Sequence, residues 1–154
     1  WKKIFPSTQV RYEGLKETKR EINENEKPWP ILVYTSSKVQ NEVDIKNSGK
    51  NYVILRLGSV YGYSSTDTMR INIMPNLFSK IASQNGEIHL FAGGKQIKSV
   101  VPLIDVVRCM KFMEENEKIQ KEMVISMKGI HFNATTIEAL MESLYELNKK
   151  LPRI

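Results

Sequence analysis

Apolar residues run along this chain in two rhythms. Short runs rich in β-branched residues alternate with longer stretches in which apolar positions recur every three or four residues, the pattern of a parallel sheet with crossover helices. Ile4-Phe5 reads as the end of one strand and Tyr52 to Leu57 as a second, clearer one. Between them a helix is expected from near Tyr34 to Asn47-Ser48-Gly49, with the glycine as a left-handed cap. A second helix is expected over Met74 to Ser83, ended by Gln84-Asn85-Gly86, then a short strand Ile88-His89-Leu90-Phe91 before the turn Gly93-Gly94. Leu103 to Glu115 reads as an amphipathic helix presenting Val106, Val107, Met110 and Met113 on one face, and Met123-Val124-Ile125 as a further strand. A last helix opens on Thr135-Thr136-Ile137-Glu138, a capping box, and turns Leu140, Leu144 and Leu147 inward.

The charged stretch Lys16 to Lys27, closed by Pro28-Trp29-Pro30, is too polar for a core element and reads as a surface loop, part of a lid. No internal repeat or low-complexity segment breaks the pattern. The 154 residues, 41% apolar and 26% charged, suffice for a compact domain and are otherwise average. No apolar run approaches the roughly 20 residues of a membrane-spanning helix, and Trp1-Lys2-Lys3 opens no signal-peptide pattern, so a cytoplasmic protein is expected. A start on Trp1 suggests that residues precede it.

Charge narrows the picture only slightly. The net +6 is compatible with nucleic acid, an acidic membrane or an anionic small molecule, but acidic and basic residues are interleaved, as in Glu17-Thr18-Lys19-Arg20-Glu21. Neither a nucleic-acid nor a membrane partner is expected; a diphosphate-bearing ligand remains compatible. The single Cys109 has no disulfide partner and reads as core packing, and no His, Cys or carboxylate cluster has metal-ligand spacing.

The sharpest chemical feature is Tyr34-Thr35-Ser36-Ser37-Lys38, in which Tyr and Lys four apart share one face of a helix. A phenol with a pKa of about 10 is a poor base, but a nearby ammonium stabilises the phenolate. Such a tyrosine takes a hydroxyl proton while hydride leaves to a nicotinamide. Upstream, Phe5-Pro6-Ser7-Thr8 places hydroxyls just past a strand, where open α/β sheets keep their ligand-facing residues. Thr8 is positioned to bond the oxygen that Tyr34 would deprotonate.

With these segments in this order, the chain resembles the extended short-chain dehydrogenase/reductase family, and within it the UDP-galactose 4-epimerase-like nucleotide-sugar enzymes. Ile4 to Thr8 is similar to the family's strand with its catalytic Ser/Thr, and Tyr34 to Lys38 with Glu42 to its Tyr-x-x-Ser-Lys-x-x-x-Glu motif. Leu55 to Gly62 resembles the strand and turn on the nicotinamide side, Asn72-Ile73-Met74-Pro75 the segment touching the nucleotide-sugar, and Ile88 to Phe91 the strand holding the base. Gly94 to Lys98 and Asp105-Val106 resemble its Gly-x-Gln-x-Arg and Asp-Val elements.

The resemblance implies an α/β fold, the C-terminal part of a Rossmann-type parallel sheet over residues 1–63 with a small α/β substrate-binding region over 64–154, some of whose elements return to the sheet. It implies catalysis by Tyr34, Lys38 and Thr8, cofactor contacts from Tyr34, Lys38, Ser59 and Val60, and substrate contacts from Asn72, Phe91 and Lys98. The implied cofactor is NAD or NADP, the implied ligand a nucleotide-sugar, and the implied assembly a homodimer through a helix bundle. The expected reaction is transient oxidation of a sugar hydroxyl; a non-catalytic nucleotide-sensing or interaction module of the same fold is the alternative.

Four positions depart from the family pattern: Ser59 for Asn, Lys98 for Arg, Glu13 for Gly and Pro102 for His or Tyr. Lysine lacks the fork that grips phosphate oxygens in pairs, so diphosphate anchoring by Lys98 is expected to be weaker. Gln9-Val10 stands where dTDP-glucose 4,6-dehydratases carry Asp-Glu, which disfavours that subclass. No Gly-x-x-Gly-x-x-Gly turn with a following acidic residue occurs, so the 154 residues alone are expected neither to bind NAD tightly nor to turn over.

Overall fold

The computed structural model describes residues 2–15, 22–62, 70–90, 94, 98–116, 122–127 and 130–132. Strand β1, Lys3–Thr8, runs into a 3-10 turn, Gln9–Tyr12, and is followed by helix α1, Val33–Asn47, and strand β2, Tyr52–Leu57. Then come β3, Ser59–Tyr61, α2, Met74–Ser83, β4, Lys98–Pro102, α3, Leu103–Glu115, β5, Met123–Met127, and β6, Ile130–Phe132. The strands form two sheets: β1-β2-β5, wholly parallel, and β3-β4-β6, in which β3 and β4 are parallel and β6 antiparallel.

The first sheet is the middle of three layers, and the period of two in β2 explains why. Tyr52 and Ile54 point to one face, where Phe5, Val124 and Ile45 of α1 cover them. Val53, Leu55 and Leu57 point to the other, packing with Ile4, Met123, Ile125 and the Cys109, Met110 and Met113 side of α3. Burial on both faces is why β2 reads as an apolar run broken only by Arg56. Cys109 is half-buried in this cluster, and burial pushes its thiol pKa up. Pro6 is tolerated in β1 because β1 is an edge strand of the described sheet.

The helices end as their local sequences dictate. Gly49 (φ +66°) and Asn85 (φ +54°) take left-handed conformations after α1 and α2. Nothing basic lies in the last turn of α3, and Lys2 supplies the charge from β1's approach, donating to the Met113 and Asn116 carbonyls at 2.6 and 2.9 Å.

Two expectations are corrected. Val107 does not share the buried face of α3: one residue rotates the helix by about 100°, and Val107 is half exposed while Val106 and Met113 are buried. Ile88, His89 and Leu90 form no strand, because a strand requires a ladder partner and none of the described strands pairs with them. Phe91, residues 16–21 of the expected loop, the Gly93 turn position and the helix expected from Thr135 lie outside the described residues.

Candidate functional site

β1 and β2 end level with each other, Thr8 pairing in register with Leu57. Gly58 then carries the chain straight from the first sheet into β3 of the second. A side chain at Gly58 would meet the Ser99 carbonyl oxygen at 2.8 Å, so only glycine allows β4 to approach this junction. Ser59 and Val60 therefore lie just beyond the carboxyl edge of the first sheet, opposite Val100 and Val101 of β4. This is the carboxyl edge of the strands, where open α/β sheets place their ligands.

Helix α1 brings the Tyr34-Lys38 face to the same edge. Lys38 Nζ donates to the Pro6 carbonyl at 3.0 Å, two residues before Thr8, and lies 4.8 Å from the Phe5 ring centre and 5.9 Å from that of Tyr34. Tyr34 is 56% exposed. Thr8 is buried, and its Oγ1 accepts the Val10 amide at 3.2 Å, capping the 3-10 turn. That hydroxyl retains its proton for donation. No direct contact joins Thr8 to Tyr34 among the described residues.

Behind this edge lies a buried ionic cluster around Glu42, one turn past Lys38. Glu42 accepts from Ser7 Oγ at 2.5 Å, from Arg56 Nη2 at 2.8 Å and Nε at 3.2 Å, and from Arg11 Nη1. Arg56 also donates from Nη1 to the Glu24 carbonyl at 2.6 Å and the Tyr12 hydroxyl at 3.0 Å. Burial alone would raise the Glu42 pKa. The hydrogen bonds from Arg56, Ser7 and Arg11, with the Arg56 charge, outweigh it and hold the carboxyl below the ordinary range. Burial likewise pushes the Tyr12 phenol up against the opposing charges of Arg56 and Arg11.

The remaining expected residues are more dispersed. Lys98 opens β4 at the end facing the junction and is exposed. Asn72 precedes α2, exposed, its Oδ1 accepting from Arg70 Nε at 3.0 Å. Asn76 ties this segment back, accepting from the Gly62 amide at 3.3 Å and donating to the Arg70 carbonyl at 3.1 Å.

Sequence reasoning passed over Arg56 and Arg11 and noted Glu13 only as a departure. The signal for Arg56 was available: a charge within an apolar strand run must be paired when buried. Nothing in local spacing marks Arg11 or Glu13 as reaching α1.

A parallel sheet covered on both faces by helices, with polar side chains gathered at its carboxyl edge, is a Rossmann-like α/β arrangement. The chain belongs to the NAD dependent epimerase/dehydratase family, whose model matches residues 1–126. No curated protein sequence matches it. Its fold is similar to that of UDP-N-acetylglucosamine 4-epimerase from Methanobrevibacter ruminantium M1, at TM-score 0.79 and 18% identity over 94% of this chain and 47% of that one. It is also similar to UDP-glucuronic acid 4-epimerase from Bacillus cereus, solved with UDP-glucuronic acid and NAD (TM-score 0.75, 24% identity, 94% and 46% covered). UDP-glucose 4-epimerase from Thermotoga maritima, solved with UDP-glucose, gives TM-score 0.77 and 24% identity over 92% and 46%. The chain thus spans somewhat under half the length of these structures.

Proposed function

We propose that this chain carries the proton-transfer half of an NAD(P)-dependent nucleotide-sugar epimerase or a related sugar oxidoreductase, active within a longer protein. The observation that carries the reading is the placement of Lys38: on the Tyr34 face of α1, bound to the β1 carbonyl two residues before Thr8. Residues 1–63 supply these groups, and 64–154 the sugar-facing ones, with β5 returning to pair with β2.

The residues suit a nicotinamide ribose and a sugar hydroxyl. Tyr34 is exposed with its hydroxyl unpartnered among the described residues, and Lys38 keeps two N–H donors beyond its carbonyl bond. A bound nicotinamide would supply hydride acceptance and return. Tyr34, as a phenolate whose charge Lys38 offsets, takes the proton of the sugar hydroxyl and later returns it, while the Thr8 hydroxyl hydrogen-bonds the same oxygen. Asn72 and Lys98 address the diphosphate or sugar, with Phe91 beside the base. The exposed Val33 and Val43 on α1 support a homodimer through that helix, which sedimentation would read directly.

In a longer protein containing this chain, Tyr34→Phe should lower kcat by about 10²- to 10⁴-fold with the fold intact. Unchanged turnover would remove the mechanism and favour the second reading, a non-catalytic nucleotide-binding module. The capping role of the Thr8 hydroxyl, a purely structural task, is what speaks for that reading.

A further inference from the structure

Helix α1 begins without the usual means of holding a first turn. Its N-cap is Leu32, which has no side-chain acceptor, and its first turn holds no acidic residue. Yet Tyr34 stands in that turn, exposed and with its hydroxyl unpartnered among the described residues, so where the phenol sits depends on the backbone of this turn. The residues that lead into this turn are held instead from another element. Glu13, just past the 3-10 turn that follows Thr8, reaches across: its Oε1 accepts from the Ile31 amide at 2.7 Å, the Leu32 amide at 2.8 Å and the Thr35 hydroxyl at 2.6 Å. Thr35 is fully buried, which anchors the arrangement, and the Leu32 amide is shared with Thr35 Oγ1 at 3.2 Å. A carboxylate at this point also complements the positive end of the helix dipole.

We propose that Glu13 is a positioning residue for Tyr34, tying the segment that carries Thr8 to the first turn of α1 so that the two hydroxyls keep one relative placement. Three features support a positioning role over general stabilisation. All three bonds converge on one oxygen, all three donors flank Tyr34 within three residues, and Glu13 itself is only partly buried and belongs to no apolar cluster. The catalytic part rests on the reading of Tyr34 as the proton-transfer group; the clamp itself does not.

The test compares Glu13→Ala with Glu13→Gln, which keeps an amide oxygen where the acceptor stands. In the 154-residue chain, Glu13→Ala should speed hydrogen exchange at the Ile31 and Leu32 amides about tenfold, leave Ile54 and Leu55 of β2 unchanged, and displace the Tyr34 ring resonances. Glu13→Gln should restore most of the protection. In a longer protein, Glu13→Ala should lower kcat about tenfold with KM for a UDP-sugar unchanged, and Glu13→Gln should recover it. Should Glu13→Ala fail to fold, Thr35→Val, which removes one donor to the same oxygen, should give the same local loss of protection to a smaller degree.

Unaltered protection at Leu32, or equal acceleration in β2, would overturn the clamp. Lost protection with undiminished kcat, while Tyr34→Phe abolishes turnover, would overturn the positioning role and leave the proposed reaction standing. An inert Tyr34→Phe would overturn both.

Discussion

In the cluster that joins β1, β2 and α1, polar side chains are buried and bonded to partners far away in sequence; in the segment from Gly62 into α2 they lie nearer the surface and bond residues closer in the chain. Glu42 gathers Ser7, Arg11 and Arg56 from three separate elements, and Arg56 is 2% exposed. Among the described residues, Asn72 reaches Arg70, and Asn76 reaches Arg70 and Gly62. The first arrangement fixes tertiary placement, because breaking any bond leaves a buried charge unmatched; the second fixes only the local path of the chain. Thr8, Tyr34 and Lys38, the groups proposed to act on a sugar hydroxyl, stand on the elements that this cluster joins. Residues expected to read the sugar belong to the part that can change without disturbing the rest.

The contrast can be broken by mutation. Glu42→Ala should have the largest effect, about 3–5 kcal/mol lost from folding, because two buried guanidiniums lose their counter-charge. A urea titration showing under about 1 kcal/mol would mean the cluster does not hold α1 to the sheet. Leu55→Ala, at the centre of the α3-side core, should cost about 2–5 kcal/mol by the same measurement. In the second sheet, Val101→Ala removes two buried methyl groups and should cost about 2 kcal/mol; a loss equal to that of Leu55→Ala would erase the difference between the sheets.

Acid should act on the first region selectively. The Glu42 pKa is lowered in the folded state, and so is that of Glu13, where the Thr35 hydroxyl contributes most, followed by the Leu32 and Ile31 amides. A carboxyl with a depressed folded pKa contributes stability above its unfolded value, about 4.3, and that contribution fades as pH falls through the folded value. The unfolding midpoint should therefore drop as pH descends below about 4, and the drop should shrink in Glu42→Gln. The smallest effect is expected at Lys98: Lys98→Ala should change stability by no more than about 0.5 kcal/mol, while weakening UDP-sugar binding in a longer protein.

The positions of α1, α2, α3, β2 and β5 were legible because each is a local matter: apolar spacing, a Gly or Asn-Gly stop, a β-branched run. The same holds for Tyr34 and Lys38, whose shared face follows from helix geometry alone. Where a reading depended on a partner, local pattern was insufficient. Ile88 to Leu90 looks like a strand and has no strand to pair with, and Val107 looks like part of the α3 core but lies a third of a turn away from it.

By itself, then, the sequence determined the alternation of elements, the strand from Tyr52 to Leu57 and the family to which its ordered motifs point. Only the tertiary structure decided what Arg11, Glu13, Glu42 and Arg56 do. A side chain's periodicity records which face of its own element is covered, whereas a charged group's role depends on what another segment brings within about 3 Å of it. Glu13 shows the difference most plainly. In sequence it is a charged residue where a glycine is usual; in the fold its carboxylate holds the amides that lead into a helix whose N-cap side chain offers no acceptor.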